Sequence, residues 1–103
     1  MRFLVKATWD MDAGNAAAKA GTMGSTVQSI LEELKPEAVY FIADQGQRTA
    51  LLVVNMDDTS QMAAIAEPWF LAFNARLEIH PVMVPDDLTR AGSAIEAAVK
   101  KYS

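Results

Sequence analysis

Residues 67–83, EPWFLAFNARLEIHPVM, join the end of an aromatic helix to an apolar strand that carries the sole histidine, His80. Met62, Ile65, Ala66, Trp69, Phe70 and Phe73 recur at helical offsets, the stripe of one helix face against a core. Pro68 removes a backbone donor and crowds the carbonyl four residues back, so a kink or a restarted turn is predicted there, with Glu67 as its cap. Asn74 ends the helix. From Arg76 to His80 charged and apolar residues then alternate, with Leu77 and Ile79 opposite Arg76, Glu78 and His80, which is a half-buried strand. Pro81 and Pro85 cannot donate to a ladder, so this strand lies at an edge or ends near Val84.

Working outward, Arg2 to Trp9 alternates with a period of two and forms a first strand, with Phe3, Val5, Ala7 and Trp9 on one face. Asp10 or Asp12 caps a long helical segment, Asp12 to Leu34, whose second half is closed by Lys35 and Pro36; the GTMG segment within it reads as either helix or loop. Val39 to Ala43 and Ala50 to Val54 flank Asp44-Gln45-Gly46-Gln47 and form a hairpin. A two-residue loop pairs Phe41 with Ala50, and a three-residue loop pairs Ile42 with it. Asp57, Asp58 and Thr59 cap the aromatic helix. Pro85-Asp86-Asp87 opens a last helix through Leu88, Ala91, Ile95 and Val99, with Lys100 and Lys101 complementing its C-terminal dipole.

The order β-α-β-β-α-β-α is α+β, a ferredoxin-like βαββαβ arrangement with an extra C-terminal helix, and residues 1–103 read as one domain. Helices cover only one face of such a sheet. Leu4, Val82 and one alternate set from each hairpin strand would leave about five large apolar side chains on the other, worth on the order of 10 kcal/mol if buried. Association costs ~4 to 15 kcal/mol, so a homodimer joined through the sheet faces is expected, and a charge at Leu52 should split it. The alternative is that the C-terminal helix folds over that face.

Composition excludes several classes. Hydrophobic residues are 51% and charged residues 21% of 103, with a net charge of -4, so the chain folds and offers no basic field to nucleic acid. No cysteine is present, which removes disulfide, thiolate and Cys-based metal chemistry. MRFLVKATWD alternates, and no apolar run approaches ~18 residues, so a cytoplasmic protein without membrane association is expected. No cofactor or metal is expected either. The third strand region, RTALLVVNM, lacks the aromatics on which an RNA-recognition sheet stacks bases. The loop DMDAGN lacks the arginine that acylphosphatase-like chemistry requires.

The opening MRFLVKATW, the strand order, and PWFLAF running into ARLEIHPVM together resemble the dimeric α/β-barrel superfamily, which includes muconolactone isomerases and antibiotic-biosynthesis-type monooxygenases. The resemblance covers most of the chain and is nearest to short members without assigned activity. It implies two sheets facing each other and a pocket between each sheet and its helices. Its members include cofactor-free and haem-handling enzymes.

His80 is the one candidate catalytic residue, a general base if Glu78 or Lys6 orients it. Lys6, Tyr40, Arg48 and Trp69 are candidate ligand-binding residues. Ion pairing between strands is the simpler account of Lys6 and Arg48, and core packing is the simpler account of Trp69. GTMGST resembles an anion loop entering a helix but lacks the GK[ST] of a phosphate loop. Two functions follow. One is a homodimer binding an apolar or aromatic small molecule, tested by a closed cavity of roughly 300 Å³ or more on which two of His80, Tyr40, Arg48 and Lys6 converge. The other is a non-catalytic association or sensing module.

Overall fold

The computed structural model describes residues 1–103, and at its centre lies β1 (Arg2–Thr8), whose alternation buries Val5 and Ala7 on one side and leaves Leu4 and Lys6 half-buried on the other. β3 (Gln47–Asn55) and β4 (Arg76–Pro81) pair antiparallel with β1, and β2 (Ala38–Asp44) pairs with β3. The order β2-β3-β1-β4 is that of the ferredoxin-like βαββαβ fold. Phe41 stands opposite Ala50, so the hairpin turns on two residues. These are Gln45 and Gly46, at φ 52° and 78°, and the left-handed pair matches the strand twist.

α1 (Met11–Ala20) starts where the Asp10 carboxylate accepts the Ala13 N–H at 3.0 Å and stops at Gly21, φ 73°. α2 (Met23–Leu34) follows at once, with Thr22 as an N-cap that makes no side-chain bond. The GTMG segment, which read as either helix or loop, is therefore a break between two helices, placed at the residue that tolerates a left-handed turn, with Met23 and Gly24 opening the second helix. A 3₁₀ turn (Thr59–Gln61), held by a capping box between Asp58 and Gln61, leads into α3 (Met62–Phe73). α3 passes through Pro68 without restarting, and Ile65, Ala66, Trp69 and Phe73 are buried on both sides of it. Continuous burial outweighs the one backbone bond that proline omits. Asn74, φ 47°, ends it as expected.

The core gathers on the helix side, where Val5, Ala7, Ala50, Leu52 and Val54 meet Ile30, Ile65, Trp69 and Phe73. Phe73 stacks on Trp9 at 4.0 Å between centroids and 5° between planes, and Trp69 lies 6.2 Å from Trp9. Leu52 is 0% exposed within this core. A charge there would break the core rather than a dimer, which corrects the sequence expectation. Leu51 and Val53 occupy the opposite, open side of β3 and are half-buried there.

After β4 the predicted single helix is also two, α4 (Pro85–Arg90) and α5 (Gly92–Tyr102). The Asp87 carboxylate accepts the Val84 N–H at 3.0 Å and also pairs with Arg90, which fixes the start of α4. Neither helix buries a residue, and the molecule's extents of 59, 28 and 20 Å reflect an arm standing away from the sheet. The arm does not cover the open sheet face.

Candidate functional site

Trp9 continues β1 by one step, its N–H donating to the Arg48 carbonyl at 2.9 Å. Ala7 faces Ala50 two residues before, so indole and guanidinium leave the sheet on the same, helix-covered side. Here the helices stop short of the hairpin. A cleft of ≈ 680 Å³, open to solvent, lies between the hairpin and the starts of α1 and α2. Its apolar wall is formed by Trp9, Met11, Met23, Val27, Phe41 and Ile42. Phe41 is 53% exposed there despite facing the helix side.

Arg48 is the single charged residue on the cleft. Its Nη1 donates to Asn15 Oδ1 at 3.0 Å, and no carboxylate lies within ion-pair distance. Gly14 allows this placement, since a Cβ there would stand 2.8 Å from Arg48 Nη1. Met23 and Gly24, at the uncapped start of α2, complete that end of the cleft. The faint anion-loop pattern of GTMGST thus reaches the cleft through these two residues. The Trp9 indole N–H is buried without a partner, as is that of Trp69.

The other sequence candidates lie elsewhere. Lys6, Tyr40 and His80 belong to the open face, together with Leu4, Leu51 and Val53. Lys6 Nζ lies 2.5 Å from Asp44 and 3.6 Å from Glu78, while His80 Nε2 lies 3.8 Å from Glu78. The hydrogen bond to Asp44 raises the Lys6 pKa above its ordinary value, with the charges of Asp44 and Glu78 acting in the same direction. Tyr40 is 65% exposed, which is high for a tyrosine on an apolar strand. Trp69 sits in the core at 0% exposure and backs the cleft only through Trp9.

Only Arg48 among the four polar candidates borders the cleft, and the cleft is open rather than closed. The convergence set as the test in the sequence does not occur within one chain. Sequence reasoning missed Met11, Met23, Val27 and Phe41, which come from three elements and read as ordinary apolar positions. One signal was available, a glycine inside the first helix, which marks a close approach at Gly14. Glu67 borders a second, more polar groove between α2 and α3 instead of capping a restarted helix. No group of three or more His, Asp or Glu side chains is placed to hold a metal ion, and no helix is long and apolar enough to cross a membrane.

Residues 1–96 match the family described as Domain of unknown function (DUF3303). No curated protein matches the chain. Among solved structures the chain is similar to a formyltetrahydrofolate deformylase from Pseudomonas putida KT2440, at 16% identity and a TM-score of 0.49 over 80% of this chain and 29% of that one. A formyltetrahydrofolate deformylase from Burkholderia mallei ATCC 23344 gives 18% and 0.44 over 79% and 28%. The de novo designed protein Ferredog-Diesel gives 8% and 0.46 over 79% and 85%. The chain spans less than a third of the length of either deformylase.

Proposed function

The chain belongs to the family Domain of unknown function (DUF3303), and from that premise we propose a homodimeric small-molecule-binding protein built on one ferredoxin-like domain. The cleft carries this reading. Its ≈ 680 Å³ falls within the range of ligand pockets, and its walls are apolar and aromatic around one charged group. An apolar or aromatic molecule is the ligand that such walls favour. Pairing of the open faces, in the manner of the dimeric α/β barrels the chain resembles, would cover Leu4, Tyr40, Leu51 and Val53. His80, Lys6 and Glu78 then belong to the seam between subunits, and any base chemistry by His80 acts there rather than in the cleft. A cytoplasmic setting suits a chain without cysteine.

The test is a panel of aromatic and aliphatic small molecules read by tryptophan fluorescence and by melting. A ligand at about 100 times its Kd should add ~2.7 kcal/mol, a shift of roughly 10 °C or more in a domain of this size. Phe41→Asp should remove the response, and Val53→Glu should keep it while splitting the dimer. A panel without any response, together with no molecule co-purifying, would remove the binding role.

The second reading, an association module without ligand chemistry, is favoured by the paired charges Lys6–Asp44 and Lys6–Glu78 among apolar residues of the open face. It expects ligand-induced melting to be absent in the wild type and in His80→Ala alike.

A further inference from the structure

We propose that the cleft selects an anionic ligand, a carboxylate with an apolar or aromatic body, and that Arg48 is its anchor. The inference rests on the small-molecule reading above and adds the class of ligand. Two basic side chains in the molecule are half-buried, Lys6 and Arg48. Lys6 already has Asp44 and Glu78, whereas Arg48 has only the neutral Asn15 amide oxygen and so keeps most of its guanidinium donors free.

A guanidinium partly withdrawn from water and left without an anion is costly, and its planar fork matches two carboxylate oxygens. The surroundings do not supply that anion. No Asp or Glu borders the cleft, and the nearest acidic helix cap, Asp10, is engaged by the Ala13 N–H. Positive character is instead reinforced by the uncapped start of α2 at Met23 and Gly24. Gly14 and Asn15 hold the guanidinium in one place from the α1 side, so the anchor is preorganised. Beyond the charge, Trp9, Met11, Val27 and Phe41 give an apolar surface for the rest of the ligand.

The experiment pairs carboxylates with their neutral amides: phenylacetate with phenylacetamide, indole-3-acetate with indole-3-acetamide, octanoate with octanamide. Binding to the intact protein is followed by tryptophan fluorescence and by the backbone amide shifts of Gly24 and Gly46. We expect at least one carboxylate to bind about ten-fold or more tightly than its amide, the size of one charge-assisted hydrogen bond. Arg48→Met should erase that preference, and Asn15→Ala, which leaves the charge in place, should reduce it. Circular dichroism confirms the fold of each variant. Equal binding of acid and amide would overturn the anionic selection while leaving the apolar binding role intact. Binding of neither class would overturn both. A preference that survives Arg48→Met in a folded protein would remove Arg48 as the anchor and with it the inference.

Discussion

The two faces of the sheet use the same strands and arrive at different chemistry. On the helix side Val5, Ala7, Leu52, Trp69 and Phe73 are 0% exposed, and the only charge, Arg48, has no carboxylate partner. On the open side Leu4, Leu51 and Val53 are half-buried, and Lys6 is tied to Asp44 and Glu78. A charge satisfied within the chain stabilises the chain, and a charge left unsatisfied beside an apolar cleft is available to a ligand. Under the proposed function the helix side is the binding face and the open side the associating one, and each face can be perturbed alone.

The largest effect is expected where the helix side is densest. Trp69→Ala removes a fully buried ring lying 6.2 Å from Trp9, and should cost about 3–5 kcal/mol in urea unfolding. A loss below about 1 kcal/mol would mean that the aromatic core is not what holds the covered face together. The second effect belongs to the open face. Val53→Glu should weaken self-association by roughly 2 kcal/mol, or about 30-fold, in analytical ultracentrifugation, with far less effect on unfolding of the monomer. If Val53→Glu and wild type sediment alike as monomers at high concentration, the open face is not a subunit interface.

The faces were legible in the sequence to unequal depth. Alternation from Arg2 to Trp9 already separates Lys6 from Trp9, and alternation from Arg76 to His80 separates His80 from Ile79. Placing Leu52 against the helices, and Arg48 beside Trp9, needed the pairing of β3 with β1, in which Val5 stands opposite Leu52 and Ala7 opposite Ala50, and alternation within β3 alone does not supply it because both of its faces are apolar. The break at Gly21 fell in a segment that the sequence left open between helix and loop, whereas the break at Ala91 was hidden because Leu88, Ala91, Ile95 and Val99 keep their phase across a single non-helical residue. The cleft could not be read at all. It exists because α1 and α2 stop short of the hairpin, which is a matter of packing between elements rather than of pattern within one.

The third prediction separates stability from binding on the covered face. Gly14→Ala places a Cβ 2.8 Å from Arg48 Nη1, the far end of a flexible side chain that can move aside. Replacing a helix-interior glycine by alanine should stabilise by up to about 1 kcal/mol, while displacement of the guanidinium lowers carboxylate affinity. Thermal melting and the carboxylate titration should therefore move in opposite directions. A variant that gains stability and binds carboxylate as before would show that Arg48 does not need the position Gly14 gives it.

The smallest effect concerns the ion pairs of the open face, and it tells whether that face is covered. Hydrogen bonding to Asp44 lifts the folded-state pKa of Lys6 above the ordinary 10.5, so the protonated form is favoured by folding. The resulting stability is complete below pH 10.5 and is lost as pH rises through the higher folded value. The stability difference between wild type and Lys6→Met should thus be constant from about pH 7 to 9 and narrow above pH 10.5. Salt then distinguishes the two states of the face. At about 0.5 M NaCl an exposed Lys6–Asp44 pair is screened, whereas a pair enclosed between two sheets is screened much less. The difference should therefore survive salt at protein concentrations where the dimer forms and shrink on dilution to monomer, and equal salt sensitivity at both concentrations would place Lys6 outside any interface.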